Sequence, residues 1–411
     1  MPTLAPSLTD REQRLCGLIG ARARPLLDDL RLHVGTPTGG NNKVALDETR
    51  ERFVARLQKL GAATKLVPGD PKPDWLHGVT PGGHVPPTAV CGRVNGHDSA
   101  RGARVVIAGH LDTVHDPDGS FRELTIAPDG KMATGPGCVD MKGGLVILIA
   151  ALEALEEAGI DAAWTVVLNG DEETGSYHSE RAIRAAAREH DVGLAVEPAM
   201  PGGELAVERL GSGQFLIETH GRSAHVGRDF EKGVSAVTAL GECLARAGHL
   251  SEPSRGMIVN IGPLEGGNAT NVVPDLARAW GNVRFPDKRI ADELGAKLDA
   301  LATPEDAMPR VTVRKSFIRA AKPLTPGTKR LAELARDAAE SLGQKLPFGK
   351  TGGVCDGNIL QDEGLPTIDT LGVRGGGLHT PQEWIELPSL VERCQLLAVV
   401  LSRLAGGAMK S

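Results

Sequence analysis

The chain has 411 residues, room for two or three domains at ~100–200 residues each and far too many for a disulfide-stapled miniprotein. A net charge of −6, with 24% charged and 41% hydrophobic residues and no long run of one sign, excludes a disordered chain and leaves no basic surface for nucleic acid or anionic lipid. Glycine takes 52 positions while aromatic residues make only 3%, a balance that favours tight turns over ring stacking and predicts a pocket that reads charge.

Met1 to Asp10 carry no basic stretch followed by an apolar core, and the longest apolar run, Leu145–Leu152, is far short of a membrane span. A cytoplasmic protein with no membrane partner is expected. Cys16, Cys91, Cys138, Cys243, Cys355 and Cys394 form no Cys-x-x-Cys pair, so reduced, mostly buried thiols are expected. Arg104–Ala108 reads as a strand. Leu145, Leu148, Ile149, Leu152 and Leu155 keep helical spacing, and Trp164–Leu168 and Val192–Val196 are strand-like again. This alternation predicts βαβ units on a largely parallel sheet.

After the Pro/Gly linker at Glu197–Gly203 the pattern changes. Strand 205–220, helix 231–246, strands 257–263 and 276–284, helix 288–302 and strand 310–316 give a βαββαβ order, the ferredoxin-like arrangement. Helix–strand alternation resumes near Lys322. The fold class is therefore α/β, with residues 1–203 and 318–411 forming a catalytic domain and residues 204–317 an inserted α+β domain.

Four groups stand at or just beyond the ends of predicted strands: His110 with Asp112, Asp140, Asp171-Glu172-Glu173, and Glu197. Open α/β sheets bind ligands outside the carboxyl ends of their strands, so these segments should converge on one crevice. Histidine and carboxylate without cysteine is the donor set of catalytic zinc or another borderline metal. Two ions ~3.5–4 Å apart need a bridging carboxylate, and His379, in Gly-Gly-Gly-Leu-His-Thr, offers a fifth donor.

His-x-Asp, Gly-Pro-Gly-x-x-Asp, Asp-Glu-Glu-x-Gly-Ser, a strand-end Glu-Pro and a C-terminal His, in that order, resemble the aminoacylase, carboxypeptidase G, acetylornithine deacetylase and succinyl-diaminopimelate desuccinylase family of two-metal hydrolases. The likeness is closest to carboxypeptidase G. It implies two divalent ions per chain, zinc first and cobalt or manganese next. His110, Asp140 and Glu197 would hold one, and Asp140, Glu173 and His379 the other. By the same resemblance Asp112 orients His110 and Glu172 is the general base. His225, in Gly-Arg-Ser-Ala-His, reaches across a homodimer interface to the scissile carbonyl, and the inserted domain dimerises and acts as a lid.

Asn271 and Arg284 match positions that hold a substrate carboxylate, and Gly352-Gly353 resembles a turn lining the pocket. Arg319 reads either as a further substrate contact or as a solvent-exposed residue, and Tyr177 and His178 as the start of the next helix. The expected reaction is hydrolysis of an amide bond beside a free carboxylate in a small peptide or N-acyl amino acid. An N-acyl-amino-acid deacylase and a non-catalytic binding relative are the alternatives. The pairs Gly143-Gly144, Gly202-Gly203 and Gly352-Gly353, with Gly375–Gly377, should border the metal site or a hinge.

Overall fold

The computed structural model describes residues 7–39, 42–79, 85–93 and 102–409, so Met1–Pro6 of the opening segment lie outside the described residues. Three helices, Asp10–Gly20, Ala23–Val34 and Lys43–Lys59, come first. Thr9 and Glu12 exchange side-chain-to-backbone hydrogen bonds at the start of the first, satisfying two donors that a helix start leaves open. No helix among the described residues is long and apolar enough to cross a membrane.

A six-stranded sheet runs Ala63–Val67, Thr88–Arg93, Trp164–Asn169, Val105–His110, Val192–Ala195, Thr367–Ile368. The last four strands are mutually parallel, whereas the first two join antiparallel. The sheet is therefore mixed rather than uniformly parallel. Its parallel part contains the strands linked by the helices Gly143–Glu157 and Glu180–Arg188, since parallel neighbours need a crossover. Every residue of Val105–His110 and Trp164–Asn169 is buried, as central strands covered on both faces must be. Helix Gly143–Glu157 packs between that sheet and the helix Pro388–Ala405, and a Cβ at Gly144 would collide with the Val196 carbonyl just before Glu197.

The four strands Ile258–Gly266, Leu276–Phe285, Gly211–His220 and Arg310–Arg319 make a second, antiparallel sheet in that order, as a βαββαβ unit requires. Phe215, Ile217, Ala277, Ala279 and Val283 point to the helices Ala236–Gly248 and Lys288–Asp299 and form a separate core. Alternation turns Ser212, Gln214, Asn282 and Arg284 to the opposite face. The expected single strand 205–220 is broken at Leu210. Leu205–Arg209 pairs in parallel with Phe348–Thr351, and only Gly211 onward joins the four-stranded sheet. The helix expected from 231 starts at Ala236, where the Ser235 hydroxyl accepts the Thr238 N–H.

The chain passes between the sheets twice, near Leu210 and near Ala321, and the passages are tied. Arg209 and Lys322 exchange backbone hydrogen bonds of 2.9 Å each, and fully buried Asp369 lies 2.8 Å from Arg209 Nη2 and 3.3 Å from Lys322 Nζ. A second tie is the segment around residues 70–77. The Asp70 carbonyl faces His178 Nδ1 at 2.6 Å, and the Trp75 carbonyl accepts Trp280 Nε1–H at 2.6 Å from the second sheet.

Candidate metal centre

His110 closes its strand, the turn Asp171–Glu173 follows the neighbouring strand, and Glu197 stands two residues beyond a third. The parallel register places all three at one edge of the sheet. Asp140 enters from the tight turn Cys138–Lys142, made possible by Gly137 at φ +69°, where a Cβ would run into Thr113. His379 arrives on the hairpin formed by Gly375–Gly376 and Trp384–Glu386.

Asp140 divides its two oxygens between the histidines. Oδ1 is 3.2 Å from His110 Nε2, and Oδ2 is 3.6 Å from His379 Nε2. Glu197 Oε2 lies 3.9 Å from His110 Nε2 on the first side, and Glu173 Oε2 lies 3.3 Å from His379 Nε2 on the other. Donor atoms of His110, Asp140 and Glu173 also fall within 4.8 Å of one another, so the two sides share one compact cluster.

The electrostatics of this cluster call for cations. Burial pushes the Glu173 carboxyl up to about 8 and Glu197 well above its usual range, with neighbouring carboxylates adding to the rise against the pull of His110. For His110, burial opposes protonation, but Asp112, Asp140 and Glu197 outweigh it and raise the imidazole well above its usual value. His379, facing the Asp140 and Glu173 carboxylates, is raised to about 9. Glu173 Oε1 is buried without a hydrogen-bond partner. Three carboxylates and two imidazoles, one carboxylate facing both ways and one oxygen orphaned, fit a pair of divalent ions.

Asp112 is placed somewhat differently from expectation. His110 Nδ1 lies 2.9 Å from the Asp112 backbone carbonyl and 3.4 Å from its Oδ1. The carboxylate instead accepts the N–H groups of Glu172 at 3.2 Å and Glu173 at 3.0 Å, because the acidic turn offers two free donors at that point. Glu172 is buried behind the cluster, and its carboxyl is pushed up to about 7 by burial against the pull of Arg319 and His110. Arg319 is buried, which overturns its solvent-exposed alternative. Nη1 is 2.8 Å from Glu172 Oε1, and Nη2 donates to the Glu172 carbonyl and the Ser176 hydroxyl at 2.6 Å each. Tyr177 and His178 belong to the acidic turn, since the helix begins only at Glu180.

A cavity of about 200 Å³ opens beside Glu173. Arg284 and Arg319 line it together with Ser212, Gln214 and Asn282, and Arg284 also meets the Ser212 hydroxyl. Gly352 and Gly353 are exposed; their turn borders this cavity through Val354, and the Gly353 carbonyl accepts Arg209 Nη1–H at 3.1 Å. His225 and Asn271 lie elsewhere. They are exposed neighbours, joined by the Val226 N–H to the Asn271 carbonyl, and Asn271 precedes the strand whose far end carries Arg284. At ~3.3 Å per residue a strand of that length separates them by about 30 Å, so one chain does not bring the two together.

Fold and centre together define a metallohydrolase, an α/β chain with a carboxylate–histidine cluster at its strand ends. The chain belongs to peptidase family M20/M25/M40, whose model matches residues 106–403. It is 26% identical to carboxypeptidase G2 of Pseudomonas sp. over 328 residues, 77% of each chain. It is 28% identical over 342 residues to a succinyl-diaminopimelate desuccinylase of Methylorubrum populi, covering 74% of this chain and 82% of that one. Among solved structures, aminopeptidase PepT of Bacillus cereus superposes with a TM-score of 0.70 at 21% identity, covering 93% and 99% of the two chains. A metallo-carboxypeptidase of Sulfolobus solfataricus gives 0.69 at 15%, covering 92% and 99%. Metal-dependent hydrolysis of a peptide or amide bond is thus the activity of this family's fold and site.

Proposed function

We propose that this enzyme hydrolyses an amide bond adjacent to a free carboxylate, as a carboxypeptidase G-type exopeptidase removing a C-terminal glutamate or similar residue. The observation that carries the proposal is the division of Asp140 between His110 and His379, with buried Glu172 close enough to act on Glu197 and His379 and a two-arginine cavity alongside. His110, Asp140 and Glu197 would hold one divalent ion and Asp140, Glu173 and His379 a second, zinc on this donor set, and the pair would supply an activated water and a Lewis acid for the scissile carbonyl. Glu172 takes the water's proton and returns it to the leaving amine; an environment that lifts its carboxyl to about 7 suits that exchange. Arg284 holds the substrate carboxylate in the cavity beside Glu173, where its planar guanidinium can pair with it in a bidentate manner, and Arg319, engaged with Glu172 and Ser176, adds positive charge to the same cavity.

We assign His225 to the developing oxyanion and Asn271 to the substrate carboxylate, both supplied by a second copy of the chain. Their exposure and their distance from Arg284 within one chain support this. The edge strand Ile258–Gly266, with Ile258 and Leu264 exposed, offers the pairing surface of a homodimer, and residues 204–317 act as its inserted lid. The six free thiols, five of them buried, suit the reducing cytoplasm.

A deacylase acting on N-acyl amino acids is the second reading, favoured by the desuccinylase relative. A panel of acyl-glutamates, dipeptides and N-acetyl amino acids separates the two by relative kcat/KM. For the shared mechanism the test is Glu172→Gln. Metal content should stay at that of the parent while turnover falls ~10²–10⁴-fold. Full activity in that variant refutes the base.

A further inference from the structure

Glu383 lies four residues beyond His379 and is almost wholly buried, at 1% exposure, yet no role in hydrolysis has been given to it. Its carboxylate is saturated from one side. Oε1 accepts the backbone N–H groups of Val139 at 2.8 Å and Asp140 at 3.0 Å. Oε2 accepts that of Gly137 at 2.8 Å and lies 2.6 Å from His115 Nε2. The main chain takes part as well, since the Gly135 N–H donates to the Glu383 carbonyl at 3.1 Å.

The reason lies in the turn. Asp140 and Met141 have non-helical backbone angles and Gly137 is left-handed, so the N–H groups of 137, 139 and 140 do not enter a helical ladder and point into the protein. Three converging donors make a concave anion seat, and Glu383 is the internal anion that fills it. The three N–H bonds, at 2.8–3.0 Å, are charge-assisted, which fixes the turn more firmly than neutral partners could. The Asp140 N–H belongs to the residue whose carboxylate faces both histidines, so the clamp acts on the orientation of that carboxylate.

We propose that Glu383 is the positioning residue of the metal centre. By seizing the Gly137–Asp140 turn from the segment that carries His379, it fixes the Asp140 carboxylate in register with His379, and His115 completes the clamp by holding Oε2. The proposal rests on Asp140 being the shared ligand. Two sides of the cluster are thereby set by one short stretch, residues 379–383. Groups that orient ligands from behind cost ~10–100-fold in metal affinity when removed.

The test measures Zn²⁺ dissociation constants by chelator competition for the full-length parent, Glu383→Gln and His115→Ala, beside the thermal midpoints of the metal-free proteins. Glu383→Gln keeps one acceptor oxygen and turns an N–H₂ group against the remaining donors. Its Zn²⁺ affinity should fall about 10–100-fold. KM should hold while kcat drops at limiting Zn²⁺ and recovers at excess. His115→Ala, which deletes one contact of the four, should show a smaller loss in the same direction, and it decides the matter if Glu383→Gln does not fold. A merely structural Glu383 would lower the metal-free midpoint with Zn²⁺ affinity unchanged, and that result in either folded variant overturns the proposal. A parent chain that binds no Zn²⁺ overturns the shared-ligand assignment and the proposal with it.

Discussion

Replacing Arg319 by methionine removes the cation that faces the proposed general base. Nη1 stands 2.8 Å from Glu172 Oε1, and the two side chains are only 8% and 9% exposed, so water screens them little. At an effective dielectric of ~20 and ~4 Å between charge centres the attraction is about 4 kcal/mol, equivalent to ~3 pH units. Burial already lifts the Glu172 carboxyl to about 7 against the pull of Arg319, and losing that pull lifts it further. Metal ions lower the value in parent and variant alike, so the observable is the difference. Hydrolysis needs the deprotonated base, so the acid limb of the kcat/KM–pH profile should move to higher pH, by about one to three units after partial compensation by His110. Arg319→Lys, which restores charge without the planar fork, should shift it less. A folded, metal-replete Arg319→Met enzyme whose acid limb coincides with that of the parent would refute this coupling.

Metal binding should release protons near neutral pH. The Glu173 carboxyl and the His379 imidazole, 3.3 Å apart and both held above their usual values, together retain protons at pH 7 that a bound cation must expel. Calorimetric titrations in buffers of different ionisation heats should show this release, fading above about pH 10; a pH-independent exchange near zero argues against the raised values. Asp369→Asn leaves Arg209 and Lys322 buried without their counter-ion and should cost about 3–5 kcal/mol in urea unfolding at neutral pH. Burial pushes the Asp369 carboxyl up, but Arg209 and Lys322 outweigh it and hold the carboxyl below the usual carboxylate range. Its contribution is therefore present above ~pH 4, the unfolded value, and lost as pH falls through the lower folded one. The gap between parent and variant should close in acid, and a constant gap contradicts the assignment.

Much of the catalytic half is legible in the sequence because its signals are local. A run of buried β-branched residues ends at His110, three consecutive acids follow an apolar strand, and glycines mark the turns that present Asp140 and His379. The inserted unit is legible for the same reason, through alternation along Gly211–His220 and Leu276–Phe285. Arg319 is not. A register irregularity between Ser316 and Arg319 breaks the two-residue period just before it, so alternation does not say which way the side chain turns. Glu383 is hidden differently, because its importance lies in backbone donors of a turn some 240 residues earlier. The antiparallel outer strands escape notice since Ala63–Val67 is short and half exposed, with no clear apolar face. The distance between Asn271 and Arg284 is a property of strand length that motif spacing does not convey.

The most direct test of the central claim compares two substrates differing at one group: an N-acyl-glutamate with its α-carboxylate free, and the same molecule as the α-carboxamide. With metal-loaded enzyme, the free acid should be hydrolysed and the amide should lose at least ~10²-fold in kcat/KM, as expected when the half-buried Arg284 is left facing a neutral group. Equal rates on the two, or hydrolysis that persists undiminished after the metal is stripped by a chelator, would contradict the account.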